Sequence, residues 1–233
     1  MPSRTPRVYI FRHGETEGSV SGRYIGKSDA GLTEKGVKQV QNAGKVLIGK
    51  GKLVDPKYLA HVYVSPRYRA KQTFELAFSE DQKQKLRDAG KVTETPRLAE
   101  WDYGDYEGLT TKEILALRKT RGFEDKGHWN LWSGGCEGGE STQQITERLD
   151  SLIEEIHGYQ RDNMRGDSPS DILLIAHGHL LRALIKRWLR QSLDFPVSLM
   201  LEPGAIGTLS YQAHKFEFPA LYAGTVLPFD EVE

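Results

Sequence analysis

Short apolar runs alternate along this chain with stretches in which apolar residues recur every three or four positions. Residues 8–11, 61–64 and 171–176 are short apolar runs rich in β-branched, aromatic or leucine side chains, which is typical of strands buried on both faces. Residues 92–98 are predicted as a further strand, and residues 204–211 as an edge strand. The polar segments at residues 14–32 and 163–170 are predicted to be a loop and a break between elements.

Helices are predicted between these strands. Thr33 is expected to cap a helix that ends near Gly49, and Pro66 to occupy the first position of the next helix. Thr110 or Thr111 begins another helix, and Ser141 or Thr142 begins a longer one with an apolar stripe at Ile145, Leu149, Leu152 and Ile156. A last apolar helix runs to Leu189, the charged residues 79–91 form a solvated helix or loop, and the tail from Phe216 fits no class.

The alternation of strands and helices predicts an α/β fold of three layers, α/β/α, in which a mainly parallel central sheet is covered on both faces. We expect one domain over residues 1–233, since α/β folds of about this length commonly form one unit. The glycine- and tryptophan-rich residues 122–140 make a long connection, and such connections are often functional. Residues 101–140 are therefore predicted to form a lid or substrate-specificity segment.

Composition narrows the choice of partners. Lys plus Arg and Asp plus Glu number 32 each, so no net charge favours nucleic acid or an anionic membrane. The first apolar run is too short for a signal peptide, and no run reaches the roughly 18 residues of a spanning helix. The lone Cys136 suits a reducing compartment. We expect a protein of the cytoplasm, with the nucleus as a second compartment, and a small molecule as its partner; the oligomeric state stays open.

Reactive side chains follow the predicted strands. Arg12 and His13, Arg69, Glu100 and His177 each come after one of them, and ligands of parallel sheets bind at the carboxyl ends of the strands. Two arginines at one edge would bind a phosphate dianion. A neutral histidine could attack phosphorus, and a buried glutamate could protonate the leaving oxygen. Together these residues predict a phosphoryl-transfer site.

Several of these residues have plainer interpretations. His177 and His179 could form a His-x-His metal pair on a strand, although no carboxylate or cysteine pattern accompanies them. Arg67 lies in the same helical turn as Arg69 and is expected to be solvated. Trp129 and Trp132 are expected to pack within the loop rather than bind substrate, and Cys136 to be inert.

The chain resembles the histidine phosphatase superfamily, also called the phosphoglycerate mutase-like family. The resemblance rests on blocks in family order over nearly the whole chain: RHGET at 12–16, GLTEKG at 31–36, SPRYRAKQT at 65–73, LAEWDYGDYEG at 98–108, GGES at 138–141 and AHGHLLRA at 176–183. It implies Arg12 and Arg69 as phosphate clamps, His13 as nucleophile, His177 as phosphate ligand and Glu100 as proton donor, with no cofactor and no metal. Further candidates for substrate contact are Ser19, Tyr24, Tyr103 and His179.

Within the superfamily the chain is most similar to the fungal sedoheptulose-1,7-bisphosphatase branch of sugar-phosphate phosphatases. The similarity lies in PSRTPR near the start, in residues 100–122 and in residues 129–149. Residues 189–204 depart from that branch, which has a longer insertion there. The expected activity is hydrolysis of small sugar or polyol phosphates through a phosphohistidine on His13.

Two rival functions remain open at this point. One is a phosphoglycerate-type phosphomutase, although the loop after RHGET lacks the tryptophan-asparagine pair of those enzymes. The other is a phosphoprotein phosphatase or a non-catalytic scaffold of the same fold. If the substrate carries a second phosphate, Arg23, Lys27, Lys112 and Arg182 are candidate cations for it.

Overall fold

The computed structural model describes residues 5–123 and 129–224, and the strands within these ranges form one six-stranded sheet of order β3-β2-β4-β1-β5-β6. The strands are β1 Val8–Arg12, β2 Leu59–Val64, β3 Val92–Glu94, β4 Asp171–Ala176, β5 Ile206–Tyr211 and β6 Pro219–Leu221. The first four strands are parallel; β5 runs antiparallel to β1, and β6 antiparallel to β5. The predicted α/β fold with a mainly parallel sheet is confirmed.

Helices connect the strands and cover both faces of the sheet. They are α1 Glu17–Ser21, α2 Glu34–Leu47, α3 Tyr68–Ala77, α4 Glu80–Asp88, α5 Thr111–Thr120, α6 Leu131–Gly134, α7 Thr142–Gln160 and α8 Gly178–Trp188. Buried side chains of α2, α3 and α4 pack against one face, and those of α5, α7 and α8 against the other. This is the three-layer arrangement that the sequence predicts.

Successive side chains of β1 and β4 belong alternately to two hydrophobic clusters, one on each face of the sheet. Val8 and Ile10 belong to the cluster under α7 and α8, whereas Tyr9 and Phe11 belong to the cluster under α2 and α3. Side chains of a strand point alternately to opposite faces, so a strand that is apolar at every position must be covered on both. The uninterrupted apolar runs in the sequence are explained by this burial.

Side-chain caps begin the helices where the sequence predicts them. Thr33 accepts a hydrogen bond from the backbone N–H of Gly36 at 3.0 Å. Thr110 and Ser141 form capping boxes with the residues three positions later. Each cap satisfies one of the N–H groups that a helix start leaves without an intrahelical partner.

Four expectations about local structure were wrong. Residues 204–211 are not an edge strand, because β6 returns from the tail and pairs with β5. The strand predicted for residues 92–98 ends at Glu94, since Thr95 caps a 3-10 turn that begins at Pro96. The predicted loop 14–32 contains α1, and Pro66 lies before the N-cap of α3 rather than at its first position.

The charged segment at residues 79–91 is the helix α4, whose Lys83 is buried against Glu75 and Glu80. Parts of the predicted connection and tail, residues 124–128 and 225–233, lie outside the described residues, as do residues 1–4. Within the described ranges, no helix is both long and apolar enough to cross a membrane.

Candidate active site

The register of the sheet brings the two candidate histidines together. Arg12 pairs with Ala176 at the carboxyl ends of β1 and β4, and the N–H of His13 donates to the carbonyl of Ala176 at 3.0 Å. The ring centroids of His13 and His177 are consequently 5.1 Å apart. Since both strands end at the same level, residues distant in sequence meet at the edge where parallel sheets bind ligands.

A cavity opens at this edge, and Arg12, His13, Arg69 and Glu100 line it. It contains about 600 Å³ of empty space, including its open mouth. Four of the five residues predicted to carry the chemistry therefore share one cavity. The fifth, His177, does not line it.

His13 is buried with one ring nitrogen engaged. Its Nδ1 lies 2.7 Å from the carbonyl oxygen of Gly14, and because a carbonyl only accepts, Nδ1 carries the hydrogen. Burial, together with the nearby Arg69 and Arg12, lowers the pKa of His13 to about 3. The ring is therefore neutral at physiological pH, and Nε2 keeps a lone pair on the cavity side.

Arg12 presents unused hydrogen-bond donors at the site. Its Nη1 donates to the carbonyl of Leu201 at 2.7 Å, whereas its buried Nε has no hydrogen-bond partner in the described part of the chain. The guanidinium packs against Gly178, where an added Cβ would lie 3.1 Å from the Arg12 Cζ. A buried donor without a partner is costly.

Arg69 is buried and bound to the loop that follows α1. Its Nη1 donates to the carbonyl of Ser28 at 2.9 Å, and its Nη2 to that of Ile25 at 3.1 Å. The same loop is held from the other side by Glu107, whose carboxylate accepts the N–H groups of residues 26–28 at 2.9–3.1 Å. Arg69 thus brings a fixed positive charge to the cavity.

His177 lies behind the cavity rather than on its surface. It is fully buried, its Nδ1 accepts a hydrogen bond from the Arg69 Nε at 3.1 Å, and its Nε2 lies 2.6 Å from the Oγ of Ser65. Burial and the charge of Arg69 lower its pKa well below the usual value. In this structure the ring contacts His13 and Arg69 directly, while its predicted contact with phosphate stays a prediction.

Glu100 is buried at the start of α8. Its carboxylate accepts three backbone N–H groups, from Trp101 at 3.0 Å, His179 at 3.1 Å and Leu180 at 2.9 Å. An acidic group at a helix N-terminus is stabilised by the N–H groups that lack intrahelical partners. The carboxylate is thereby fixed in place at the cavity wall.

Tyr24, Tyr103 and His179 form an aromatic wall of the cavity. The rings of Tyr24 and His179 stack at a centroid distance of 5.1 Å, and the Tyr103 hydroxyl lies 2.6 Å from the His179 Nδ1. Ser19 also lines the cavity, although its hydroxyl completes the capping box of Thr16. All four candidates for substrate contact are therefore at the site.

Two of the four candidate cations line the cavity, namely Arg23 and Arg182. Arg23 is already bound to the carbonyl of Gly108 at 2.6 Å and to Glu113 at 3.0 Å. Arg182 donates only its Nε, to the carbonyl of Gly178 at 2.9 Å, among the described residues. Lys27 instead pairs with Asp102 at 2.7 Å, and neither it nor Lys112 lines the cavity.

The predicted lid segment contributes one described residue to the cavity lining, Tyr103. The segment is anchored by Glu140, which accepts two hydrogen bonds from Arg148 at 2.7 and 2.9 Å and one from the N–H of Asp102 at 2.9 Å. Backbones approach closely here, since a Cβ on Gly139 would lie 2.2 Å from the carbonyl oxygen of Asp102. These contacts tie the described part of the segment to its surroundings, and its role as a lid or specificity segment stays a prediction.

The His-x-His metal interpretation assumed that both histidines lie on one strand. His177 and His179 do not share a strand, because β4 ends at Ala176 and His177 is the N-cap of α8. Their Nδ1 atoms face different partners, Arg69 and Tyr103. Within residues 5–123 and 129–224, no three His, Cys, Asp or Glu side chains gather as a metal site would require.

The remaining plain interpretations have mixed outcomes. Trp129 donates to the carbonyl of Gly135, and the ring of Trp132 packs beside Trp101 and His179; neither lines the cavity. Burial raises the pKa of Cys136 to about 12, so its thiol stays protonated and inert, as expected. Arg67, expected to be solvated, is half-buried with its Nε shielded.

Two residues of the site were not singled out from the sequence. Ser65 is fully buried and contacts His177, and Glu107 holds the loop that binds Arg69. Both lie inside blocks that carry the family resemblance, SPRYRAKQT and LAEWDYGDYEG. Their presence there was a usable signal, but neither residue type indicates by itself which distant group it contacts.

Comparisons with known proteins show which family the chain is similar to. The family model described as histidine phosphatase superfamily (branch 1) matches residues 8–223. Sedoheptulose 1,7-bisphosphatase of Saccharomyces cerevisiae is 37% identical over 257 aligned positions, covering 95% of this chain and 93% of that protein. An acid phosphatase of Mycobacterium tuberculosis is 35% identical, covering 91% and 90%. A solved structure from Mycobacterium tuberculosis superposes with a TM-score of 0.72 at 32% identity, covering 94% of this chain and 97% of that one.

Proposed function

Because the chain belongs to the histidine phosphatase superfamily, we propose that it hydrolyses small sugar or polyol phosphates through a phosphohistidine on His13. One observation carries the proposal. His13 is buried, neutral and part of the cavity lining; its Nδ1–H is bound to the Gly14 carbonyl, and its Nε2 has no hydrogen-bond partner among the described residues. A fixed lone pair beside the half-buried Arg12 and the buried Arg69 suits attack on a phosphate ester.

The first half of the reaction transfers the phosphoryl group to the enzyme. Arg12 and Arg69 hold the phosphate oxygens, and His13 Nε2 forms a bond to phosphorus as the bond to the ester oxygen breaks. Glu100 enters this step in its protonated form and gives that proton to the departing oxygen, which leaves as an alcohol. Positive charge around the equatorial oxygens stabilises the transition state.

The second half returns the enzyme to its starting state. Water attacks phosphorus, the N–P bond breaks, and the proton of the water passes to Glu100. The products are inorganic phosphate and a neutral His13, so the cycle needs no redox partner and no metal or cofactor. His177 supports both halves by holding Arg69 through its Nδ1.

The substrate is proposed to carry a second anionic group, as sedoheptulose 1,7-bisphosphate does. The support is Arg182, which lines the cavity and donates only its Nε within the described residues. Tyr103 would shape the cavity near Arg182. A sugar bisphosphate would then span from His13 to Arg182, across the aromatic wall.

The test is release of inorganic phosphate by the purified full-length protein. Sugar mono- and bisphosphates, polyol phosphates, phosphoglycerates and a phosphotyrosine peptide are compared, each with and without a chelator. We expect chelator-insensitive hydrolysis with highest kcat/KM for a sugar bisphosphate, and a larger rise of KM for bisphosphates than for monophosphates in Arg182→Gln. Isomerised phosphoglycerate without free phosphate, or preference for the peptide, would contradict the proposal.

A further inference from the structure

We propose that His179 determines specificity by presenting a fixed Nε2–H donor to the non-reacting part of the substrate, and that Tyr103 is the positioning residue that keeps this hydrogen on Nε2. The substrate class rests on the proposed function, whereas the position of the hydrogen does not. The two parts can therefore be tested separately.

The contact between the two side chains fixes the direction of one hydrogen bond. The Tyr103 hydroxyl is buried and lies 2.6 Å from the Nδ1 of His179, its hydrogen-bond partner within the described residues. A buried hydroxyl hydrogen needs an acceptor, and Nδ1 can accept only if it carries no hydrogen. A neutral imidazole then carries its hydrogen on Nε2.

Both groups stay neutral at physiological pH. Burial raises the pKa of Tyr103 well above its usual value, so the hydroxyl keeps its hydrogen. Burial, together with Arg182 and Arg12, lowers the pKa of His179 to about 3, so the ring carries no second hydrogen. The pair is therefore a hydroxyl donor and a neutral imidazole rather than an ion pair.

The ring of His179 is held from several sides. Its backbone N–H donates to Glu100 at 3.1 Å, and its ring stacks on Tyr24 at an interplanar angle of 29°. Trp132 meets it edge-on at a centroid distance of 5.7 Å. Within residues 5–123 and 129–224, its Nε2 has no hydrogen-bond partner. It is also not one of the side-chain polar atoms that are buried there without a partner. Because His179 lines the cavity, this N–H is available to a bound molecule.

The chemical nature of this donor determines which substrate groups it can bind. A neutral N–H binds an oxygen lone pair, such as that of a hydroxyl, a carbonyl or a second phosphoryl group. A phosphate ester whose organic part is a bare hydrocarbon ring offers no such oxygen there. His179 is thus expected to favour sugar phosphates over aryl phosphates, beside the positive charge of Arg182.

The first test observes the hydrogen directly in the free protein. Nitrogen-15 NMR of histidine-labelled protein distinguishes the two neutral forms of a ring. We expect the Nε2–H form of His179 in the wild type and a shift toward the Nδ1–H form in Tyr103→Phe. Tyr106→Phe is the matched control, because Tyr106 is equally buried in the same segment but its hydroxyl bonds to Arg118. Wild-type His179 with its hydrogen on Nδ1, or an unchanged form in Tyr103→Phe, would overturn the proposal.

The second test separates recognition from chemistry. Tyr103→Phe should raise KM for fructose 1,6-bisphosphate about threefold to tenfold, the effect of one hydrogen bond, and should raise the KM for phenyl phosphate by a smaller factor. Tyr106→Phe should leave all of these values within twofold. An equal rise of KM for both esters would overturn the specificity role.

Failure of the proposed function is recognisable in the same experiments. If no phosphate ester is hydrolysed, binding of fructose 1,6-bisphosphate and of inorganic phosphate to the free protein replaces the kinetics. Tyr103→Phe should then weaken only the binding of the sugar bisphosphate. Equal weakening of both, or of neither, would overturn the inference about His179.

Discussion

Arg69 donates its Nε–H to the Nδ1 of His177 across 3.1 Å. An arginine is always protonated, so Nδ1 must be the acceptor, and the neutral ring of His177 carries its hydrogen on Nε2. That hydrogen points to the Oγ of Ser65 at 2.6 Å. One buried serine therefore helps to fix the orientation of the histidine that accepts a hydrogen bond from Arg69.

Ser65→Ala should lower both stability and activity. It leaves the buried Nε2–H of His177 without an acceptor, which costs about 1–3 kcal/mol of unfolding free energy, and it frees the ring that holds Arg69. We expect kcat/KM to fall about tenfold or more. Ser210→Ala is the control, since Ser210 is equally buried but bonds to the carbonyl of Pro6. Equal activity of the two variants at similar stability would refute the role of Ser65.

Gly178→Ala should impair activity with little effect on stability. The added Cβ would lie 3.1 Å from the Cζ and 3.2 Å from the Nε of Arg12, so the guanidinium must shift by a few tenths of an ångström. We expect a fall in kcat/KM of about tenfold or more.

Gly158→Ala provides the matched substitution for this test, because nothing lies within 4 Å of its added Cβ. Gly158 is inside α7, where alanine is favoured over glycine by about 0.5–1 kcal/mol. This variant should be more stable and fully active. Normal kinetics in Gly178→Ala would show that the position of Arg12 is not critical.

Glu107→Gln should weaken the loop that binds Arg69. The carboxylate accepts three backbone N–H groups and the Ser28 hydroxyl, and an amide would turn a donor toward one of them. Hydrogen bonds to charged groups contribute about 1.5–3 kcal/mol each, so we expect kcat/KM to fall about tenfold. Asp81→Asn, at an exposed pair with Lys85, should change neither stability nor rate. Unchanged kinetics in Glu107→Gln would contradict the account.

The strands and helix caps could be predicted from local patterns, because burial on two faces and capping both leave short signatures. The edge-strand prediction for residues 204–211 failed because β6 is short and comes from a tail with no apolar period. The helix α1 was missed because it has five residues, and its one large apolar side chain, Val20, is exposed.

The sequence was sufficient to predict which residues gather at the candidate site, but not which side chains contact one another there. The rule that reactive groups gather at the carboxyl ends of parallel strands located Arg12, His13, Glu100 and Arg69 correctly. It could not predict that His177 lies behind the cavity, because this depends on the side-chain contacts with Ser65 and Arg69. Contacts of this kind leave no periodic pattern in the sequence.

Stability should fall as pH is lowered below about 6.5. The pKa values of His13 and His179 are lowered to about 3 in the folded protein, so between about pH 3 and 6.5 the unfolded chain binds more protons than the folded one. Each such histidine contributes a slope of up to about 1.4 kcal/mol per pH unit.

Urea unfolding between pH 6.5 and 5 measures this slope while most carboxylates stay ionised. His13→Gln should reduce it, whereas Gly158→Ala should keep the full wild-type slope because it removes no titrating group. A wild-type slope in His13→Gln would mean that His13 is not buried in its neutral form.

The central claim is the covalent phosphohistidine on His13. Wild-type protein and His13→Ala are each mixed with a sugar bisphosphate that the wild type hydrolyses, and the reaction is quenched in alkali within one turnover. Mass spectrometry then detects phosphate bound to histidine. The account predicts phosphate on His13 in the wild type and neither labelling nor turnover in a folded His13→Ala. Turnover that persists in His13→Ala, or a wild type that hydrolyses substrate without phosphate ever appearing on His13, would contradict it.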